Sequence, residues 1–160
     1  MFEKILVALD QSPTGEVLFQ KALILAKRHH AKLMLLHILT SEEEGSPIPI
    51  PSEASNMYWD PGLDFNLDVW RKQWETYEGE CLDKLRSLSA KANQAQVPTE
   101  FRQIPGNAGR VICDFATAWG TNLILIGNRG RSGLQEWVLG SVSNYVLHHA
   151  HCDVLTVKTR

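Results

Sequence analysis

Residues 121–150 read "TNLILIGNRGRSGLQEWVLGSVSNYVLHHA", and this stretch passes from an apolar run through glycines into a helical pattern. The run Leu123–Ile126 shows no alternation of polar and apolar residues, which is typical of a strand buried on both faces. Gly127, Gly130 and Gly140 follow it, and glycine is costly in an ordered element because it loses the most backbone freedom on folding. These glycines therefore indicate positive φ values or a backbone that something must approach closely.

The same order of a buried strand and a helix recurs along the chain. Strands are predicted at Lys4–Asp10, Lys32–Ile38, Val97–Ile104, 121–127 and Cys152–Lys158, and helices at 12–30, 67–92, 106–120 and 140–150. Ser12 is expected to cap the first helix, with Pro13 at its first position. Strict alternation predicts a single-domain α/β fold with a parallel sheet, helices on both faces and right-handed crossovers. The more polar strand Val97–Ile104 is expected at a sheet edge.

One segment, Ser41–Asn66, breaks this regularity, and we refer to it as the insert. It contains three consecutive glutamates near its beginning, prolines that alternate with isoleucine or serine, and the pair Tyr58-Trp59. A long segment without obvious structure in a compact domain is either functional or mobile, and alternating prolines favour an extended path. The helix after it carries Trp70 and Trp74 in an apolar stripe of helical period, which we interpret as core.

The length and composition of the chain exclude several classes of protein. The 160 residues suit one domain, 1–160, and a net charge of −2 gives no global basic field for collecting nucleic acid or an anionic membrane surface. Three widely spaced cysteines without a C-x-x-C motif fit a reducing compartment. An apolar strand pattern begins by Ile5, which leaves no room for a signal peptide, and no apolar run approaches the roughly 18 residues of a membrane span. We therefore expect a cytoplasmic protein.

In a sheet of this kind, ligands bind beyond the carboxyl ends of the strands, where the strand order reverses. Gly127–Gly130 can offer consecutive backbone N–H groups to an anion after the fourth strand. Gly140–Ser143 opens a helix whose first N–H groups lack intrahelical partners and whose partial positive charge attracts phosphate. Together they are able to hold a polyphosphate from two sides. The alternative is a glycine-rich turn followed by a serine-capped helix with no ligand.

Other phosphate fingerprints do not fit. The chain has no G-x-x-x-x-G-K-[ST], and the turn after the first strand reads "DQSPTG" rather than G-x-G-x-x-G. A receiver domain would need an acidic pair after the first strand, where only Asp10 stands. A flavodoxin-like flavin-phosphate loop at 12–17 would place Glu16 against the phosphate and leave the later glycines unexplained.

The pattern G-x-x-G, nine residues, then G-[ST] resembles the ATP-binding signature of the universal stress protein family, and here it is carried by Gly127, Gly130, Gly140 and Ser141. The opening "KILVALDQSPTG" and the closing "GSVSNYVLHHAHCDVLTVK" are also similar to that family. The resemblance implies a Rossmann-like, five-stranded parallel sheet of order 3-2-1-4-5. It also implies a homodimer formed by antiparallel pairing of the last strands.

The resemblance further implies roles for individual residues. Asp10 and Ala8 would lie near the nucleoside, Ile38 would present its backbone to the adenine edge, and Ile126 would pack beside the base. Gly127 would meet the ribose. The phosphates would be surrounded by Arg129, Gly130, Gly140, Ser141, Val142 and Ser143. Asp10 could also help to hold a Mg²⁺ ion bridging the phosphates, because Mg²⁺ prefers carboxylate, phosphate and water oxygens.

The favoured hypothesis is an ATP/ADP-binding regulatory protein of the stress response that acts as a nucleotide-dependent homodimeric switch toward a protein partner. No nucleophile with its base can be assembled, so no catalytic residue is predicted and at most weak ATP hydrolysis is expected. The alternatives are a slow ATPase or phosphotransferase and an interaction module that binds no nucleotide. His148, His149 and His151 do not have the spacing of a closed metal site, so no metal ligand is predicted, and His37 is interpreted as a packed residue at a strand end.

Overall fold

The computed structural model of the chain describes residues 1–47, 67–128 and 139–158. The strands are β1 (Lys4–Leu9), β2 (Lys32–Leu39), β3 (Thr99–Pro105), β4 (Leu123–Asn128) and β5 (Asp153–Lys158). The helices are α1 (Thr14–His29), α2 (Leu67–Gln94), α3 (Ala108–Trp119) and α4 (Ser141–His149). The predicted alternation of strands and helices is confirmed, with boundaries that differ by a few residues at most.

All five strands pair in parallel in the order β3-β2-β1-β4-β5, which confirms the Rossmann-like topology and the edge position of β3. The central strand β1 pairs with β2 on one side and with β4 on the other. In this register Ala8 lies opposite both Leu36 and Ile126. The carboxyl ends of β1, β2 and β4 therefore meet at one place on the sheet edge.

Two apolar layers cover the faces of the sheet. One packs α1 and α2 on the sheet through residues such as Phe19 and Leu85, and the other packs α3 and α4 through Ile112 and Val146. Ile5–Val7 of β1 are fully inaccessible to solvent, as the absence of polar alternation in this strand predicts.

Helix α2 is longer than the sheet that it covers. Its 28 residues span about 42 Å, whereas the 8 residues of β2 span about 26 Å. The buried positions of this helix begin at Tyr77, whereas Trp70 and Trp74 are only half-buried and pack edge to face, with ring centroids 6.0 Å apart. The interpretation of this tryptophan stripe as core is therefore wrong for its first two turns, since they extend past the sheet.

The beginning of α1 also differs from the prediction. Helix α1 starts at Thr14, Pro13 occupies the capping position, and no side chain caps the helix. The hydroxyl of Ser12 instead donates to the carboxylate of Asp10 and contacts the hydroxyl of Thr14. Ser12 is therefore not the N-cap, because its side chain is used in the turn that follows β1.

The insert is described only as far as Pro47, so the predicted extended path of its later prolines and the pair Tyr58-Trp59 lie outside the described residues. Its first residues form hydrogen-bonded turns, in which Ser46 donates to the carbonyl oxygens of Ser41 and Glu43. Within the described ranges, no helix combines the length and apolar character that crossing a membrane requires.

Candidate functional site

A cavity of about 380 Å³ opens at the carboxyl ends of β1, β2 and β4. Its walls come from the turn between β1 and α1, the turns after β2, the first residues of α3, the end of β4 and the beginning of α4. The cavity therefore lies at the reversal point of the strand order, between β1 and β4, where the fold predicts a ligand.

Most of the residues predicted for the site line this one cavity: Ala8, Asp10, Ile38, Ile126, Gly127, Gly140, Ser141, Val142 and Ser143. Arg129 and Gly130 lie outside the described residues. The two glycine positions that are far apart in sequence, at the end of β4 and at the beginning of α4, thus face the same space.

The floor of the cavity is apolar. It is formed by Ala8, Leu36, Ile38, Ala108, Ile112 and Ile126. The pairing of Ala8 with Leu36 and Ile126 places three of these side chains side by side. An apolar floor with a few polar groups around it is the usual construction of a small-molecule site.

Neither Gly127 nor Gly140 has backbone angles that require glycine. Gly127 is outside the left-handed region, and among the described residues a Cβ added to it would meet only the Thr14 hydroxyl oxygen, at 4.0 Å. Gly140 has φ −59° and ψ 152°, which other residues adopt easily. Of the two reasons that the sequence offers for these glycines, a positive φ is therefore excluded at both positions.

The amino end of α4 has no side-chain cap. The first intrahelical hydrogen bond runs from the N–H of Asn144 to the carbonyl of Gly140, so the amides of Ser141, Val142 and Ser143 have no intrahelical acceptor. The hydroxyl of buried Ser143 donates to the carbonyl of Gly140 at 3.0 Å, whereas Ser141 is exposed. As far as the described residues go, the free donors at this helix end are therefore backbone amides and the hydroxyl of Ser141.

Asp10 is fixed by the turn that it begins. Its Oδ1 accepts hydrogen bonds from the backbone N–H of Ser12, at 3.0 Å, and from the Ser12 hydroxyl. The carbonyl of Asp10 accepts from Nζ of Lys84 in α2, at 3.3 Å. Within the described part of the chain, Oδ2 of Asp10 makes no hydrogen bond and is the oxygen left for a ligand. Asp10 thus has the turn role that its position suggested and also lines the cavity.

Sequence reasoning missed several residues of the cavity wall, and Glu43 is among them. Its Oε1 accepts from the backbone N–H of Gln11 at 2.6 Å, and its Oε2 accepts from the Tyr77 hydroxyl at 2.8 Å and lies 2.7 Å from Nε2 of His37. His37 is 1% exposed, and its Nδ1 lies 3.3 Å from Oε1 of Gln103. The interpretation of His37 as a packed strand-end residue is confirmed, and Glu43 is its partner.

Burial is the largest influence on the pKa of Glu43 and raises it. The hydrogen bond and the attraction to His37, with the Gln11 amide and the Tyr77 hydroxyl, outweigh burial and bring this pKa below its usual 4.5. Burial and the bond to Glu43 raise the pKa of Tyr77 above its usual 10.0. Glu43 is therefore an anion at neutral pH, and Tyr77 is a neutral donor to it.

No signal in the sequence could have identified Glu43. It stands in the middle of three consecutive glutamates, which are typical of a solvated turn, and its partner Tyr77 is 34 residues away. The pairing arises because α2 returns across the sheet beside the end of β2.

The histidines and cysteines of the described residues lie in separate contacts. The described residues contain no group of three or more His, Cys, Asp or Glu side chains that could hold a metal ion. His149 stacks on Tyr145 with ring centroids 3.9 Å apart, and His151 contacts the Thr117 hydroxyl at 3.1 Å. Burial raises the pKa of the Cys81 thiol to about 11, so it is not a thiolate at neutral pH.

The model of the universal stress protein family matches residues 1–158 of the chain. The chain belongs to this family. It is 32% identical over 157 residues to universal stress protein Sll1388 of Synechocystis sp., with 98% of each chain covered. It is also 32% identical over 158 residues to universal stress protein YxiE of Bacillus subtilis, with 99% of this chain and 100% of the relative covered.

Solved structures share the fold. The hypothetical protein MJ0577 superposes with a TM-score of 0.76 at 20% identity, covering 100% of this chain and 98% of that protein. A universal stress protein in complex with cAMP gives 0.64 at 20% identity, covering 99% and 98%. A universal stress protein family protein of Arabidopsis thaliana with AMP bound gives 0.60 at 20% identity, covering 99% and 92%. These likenesses establish that this chain has the universal stress protein fold.

Proposed function

We propose that this universal stress protein binds an adenine nucleotide, ATP or ADP, and acts as a homodimeric, nucleotide-dependent regulator of the stress response in the cytoplasm. The observation that carries the proposal is that Gly127 and the uncapped amino end of α4 line one cavity with an apolar floor. Two proteins of the same fold, one in complex with cAMP and one with AMP bound, support the choice of an adenine nucleotide.

In the proposed complex, the base lies on the floor between Ala8, Ile126 and the backbone of Ile38. The ribose meets Gly127, where a side chain would fill the open space. The phosphates lie against Gly140 and the amides of Ser141–Ser143, where the helix dipole attracts anions. Arg129 and Gly130 are proposed to complete the phosphate site.

Asp10 is the residue that fits a Mg²⁺ ion accompanying the phosphates. Its Oδ1 is engaged by Ser12, and its Oδ2 is available as a carboxylate ligand of the kind that Mg²⁺ prefers. Bound Mg²⁺ would neutralise phosphate charge beside the carboxylates of the cavity wall. The residues of this chain would position the nucleotide, and at most weak hydrolysis is proposed.

The homodimer is proposed to form through β5, which is an edge of the sheet. Leu155 on this strand is 41% exposed, and an unprotected edge strand is a template for pairing with a second copy. Occupancy of the cavity would then change how the dimer meets a protein partner. Sedimentation equilibrium of the unchanged chain and of Leu155→Lys tests this part, and a monomeric mass for the unchanged chain would contradict it.

Calorimetric titration with ATP, ADP and AMP, with and without Mg²⁺, tests nucleotide binding. Gly127→Val is expected to weaken binding by about tenfold or more, corresponding to about 1.4 kcal/mol, because its side chain would occupy the ribose position. Gly79→Ala is the matched control, since a Cβ there meets nothing within 4 Å and the residue is exposed on α2. Failure of all three nucleotides to bind the unchanged chain would refute the proposal.

The enzymatic alternative needs a separate measurement. Phosphate release from ATP by the unchanged chain is compared with release by a Gly140/Ser141 double variant. Equal rates would remove the alternative, whereas a higher rate for the unchanged chain would require Asp10-bound Mg²⁺ to be treated as part of a catalyst.

A further inference from the structure

Glu43 is the most buried of the three consecutive glutamates on the cavity wall. Its side chain is 10% exposed, whereas Glu42 and Glu44 beside it are exposed. Its backbone carbonyl accepts from both the N–H and the hydroxyl of Ser46, at 3.1 Å and 2.7 Å. Main chain and side chain are therefore both fixed at the edge of the cavity.

Within the described part of the chain, the carboxylate of Glu43 retains one acceptor position. An ionised carboxylate offers about four lone-pair positions on two oxygens. The Tyr77 hydroxyl and Nε2 of His37 occupy those of Oε2, and the N–H of Gln11 occupies one of the two on Oε1. The remaining position is on Oε1, the oxygen held beside the turn that follows β1, and both this turn and Glu43 line the cavity.

A carboxylate at this place can only accept hydrogen bonds. Hydrogen bonding to three donors keeps Glu43 ionised at neutral pH. A ligand carbonyl or phosphate against Oε1 would bring two acceptors together, whereas an N–H or O–H group would form a charge-assisted hydrogen bond. The cavity wall at Glu43 therefore favours a ligand group that donates a hydrogen bond.

We propose that Glu43 is a specificity-determining residue of the cavity, whose Oε1 accepts a hydrogen bond from an N–H or O–H group of the nucleoside part of the ligand. This inference rests on the proposed function. Two groups of an adenine nucleotide supply such a donor, the 6-amino group of the base and the hydroxyls of the ribose. Glu43 distinguishes ligands by this donor, and Tyr77 and His37 are positioning residues that hold its other oxygen.

The test measures affinities for AMP, for inosine monophosphate, in which a carbonyl replaces the 6-amino group, and for 2′-deoxy- and 3′-deoxy-AMP. One of these analogues is expected to bind the unchanged chain about ten- to a hundredfold more weakly than AMP, because it lacks the donor to a charged acceptor. The inosine analogue reports on the base and the deoxy analogues report on the ribose. Equal binding of all four ligands by the unchanged chain would overturn the inference without any variant.

Glu43→Gln then assigns the discrimination to this residue. The variant keeps the shape and removes the charge, so the ratio between AMP and the discriminated analogue is expected to shrink toward one. Glu44→Gln removes the same charge from an exposed neighbour on the same turn and is expected to keep the ratio. Tyr77→Phe removes a donor that positions the Glu43 carboxylate and is expected to reduce the ratio less than Glu43→Gln does. A ratio that persists in Glu43→Gln, or that falls equally in Glu44→Gln, would overturn the inference. If no nucleotide binds the unchanged chain, the proposed function fails and this inference fails with it.

Discussion

Helices α3 and α4 lie side by side on one face of the sheet, yet their amino ends are built differently. Helix α3 follows Asn107, whose side chain accepts a hydrogen bond from the N–H of Arg110 at 3.1 Å. Helix α4 follows Gly140 and has no side-chain cap, and its first turn lines the cavity. A side chain thus accepts from one amide at the beginning of α3, whereas no capping side chain stands at the beginning of α4.

The glycines near the two helix ends show the same difference. A Cβ added to Gly109 in the first turn of α3 would lie 2.7 Å from the ring of Tyr145 in α4, so protein already fills that space. A Cβ added to Gly127 would have one neighbour within the described ranges, the Thr14 hydroxyl oxygen at 4.0 Å. Gly109 permits two helices to pack, and Gly127 leaves a surface uncovered.

The largest effect is expected from a substitution of Gly109, because Tyr145 already occupies the space beside it. Gly109→Val is expected to lower the free energy of unfolding by about 1–3 kcal/mol, because its side chain would overlap Tyr145. Urea unfolding measures this loss, with Gly127→Val as the comparison. Equal losses in the two variants would mean that the space beside Gly127 is not open.

The next largest effect is expected when a capping side chain is introduced at the beginning of α4. Gly140→Asn is expected to weaken nucleotide binding by about tenfold, because an asparagine at an N-cap accepts from the second or third amide of the helix and would compete with phosphate. The backbone angles of Gly140 allow this residue. Calorimetric titration measures the change, and an unaltered affinity would show that the α4 amides do not contribute to binding.

The reverse change removes the side-chain cap at the beginning of α3. Asn107→Ala removes the hydrogen bond to Arg110 and is expected to lower the free energy of unfolding by about 1 kcal/mol without altering nucleotide affinity. Thermal or urea unfolding measures the first and calorimetry the second. A loss of affinity in this variant would contradict the assignment of a purely structural role to the end of α3.

The smallest expected effect is on the stability of the fold at acidic pH. The pKa of Glu43 in the folded chain is below its usual 4.5, so its ionised form stabilises the fold fully above that pH and this part is lost as pH falls through the folded pKa. Urea unfolding across this range is expected to show a steeper loss in the unchanged chain than in Glu43→Gln. Parallel curves would mean that Glu43 is held no differently from a residue on an open turn.

The local pattern of the sequence was sufficient to predict the fold and much of the cavity. Apolar runs such as Leu123–Ile126 identify strands buried on both faces, and the α/β alternation limits where a ligand can lie. Gly127 and Gly140 could be predicted to face one space because the ends of neighbouring parallel strands and the helices between them share an edge.

The features that the sequence did not predict depend on contacts between residues that are distant in the sequence. Glu43 belongs to the cavity wall because Tyr77 and His37 reach it from α2 and β2, and no spacing in the sequence encodes that meeting. Ser12 was expected to cap α1 because its type and position allow it, but Asp10 competes for its hydroxyl. The half-buried state of Trp70 follows from the length of α2 relative to the sheet, which depends on the strand that it covers.

The most direct measurement is a nuclear magnetic resonance titration of the backbone amides with ATP and Mg²⁺. If one bound nucleotide meets both glycine positions, the amides of Gly127 and of Ser141–Ser143 shift together along one binding curve, while the amide of Arg110 at the capped end of α3 stays in place. Shifts at only one of the two positions, or equal shifts at Arg110, would contradict the account.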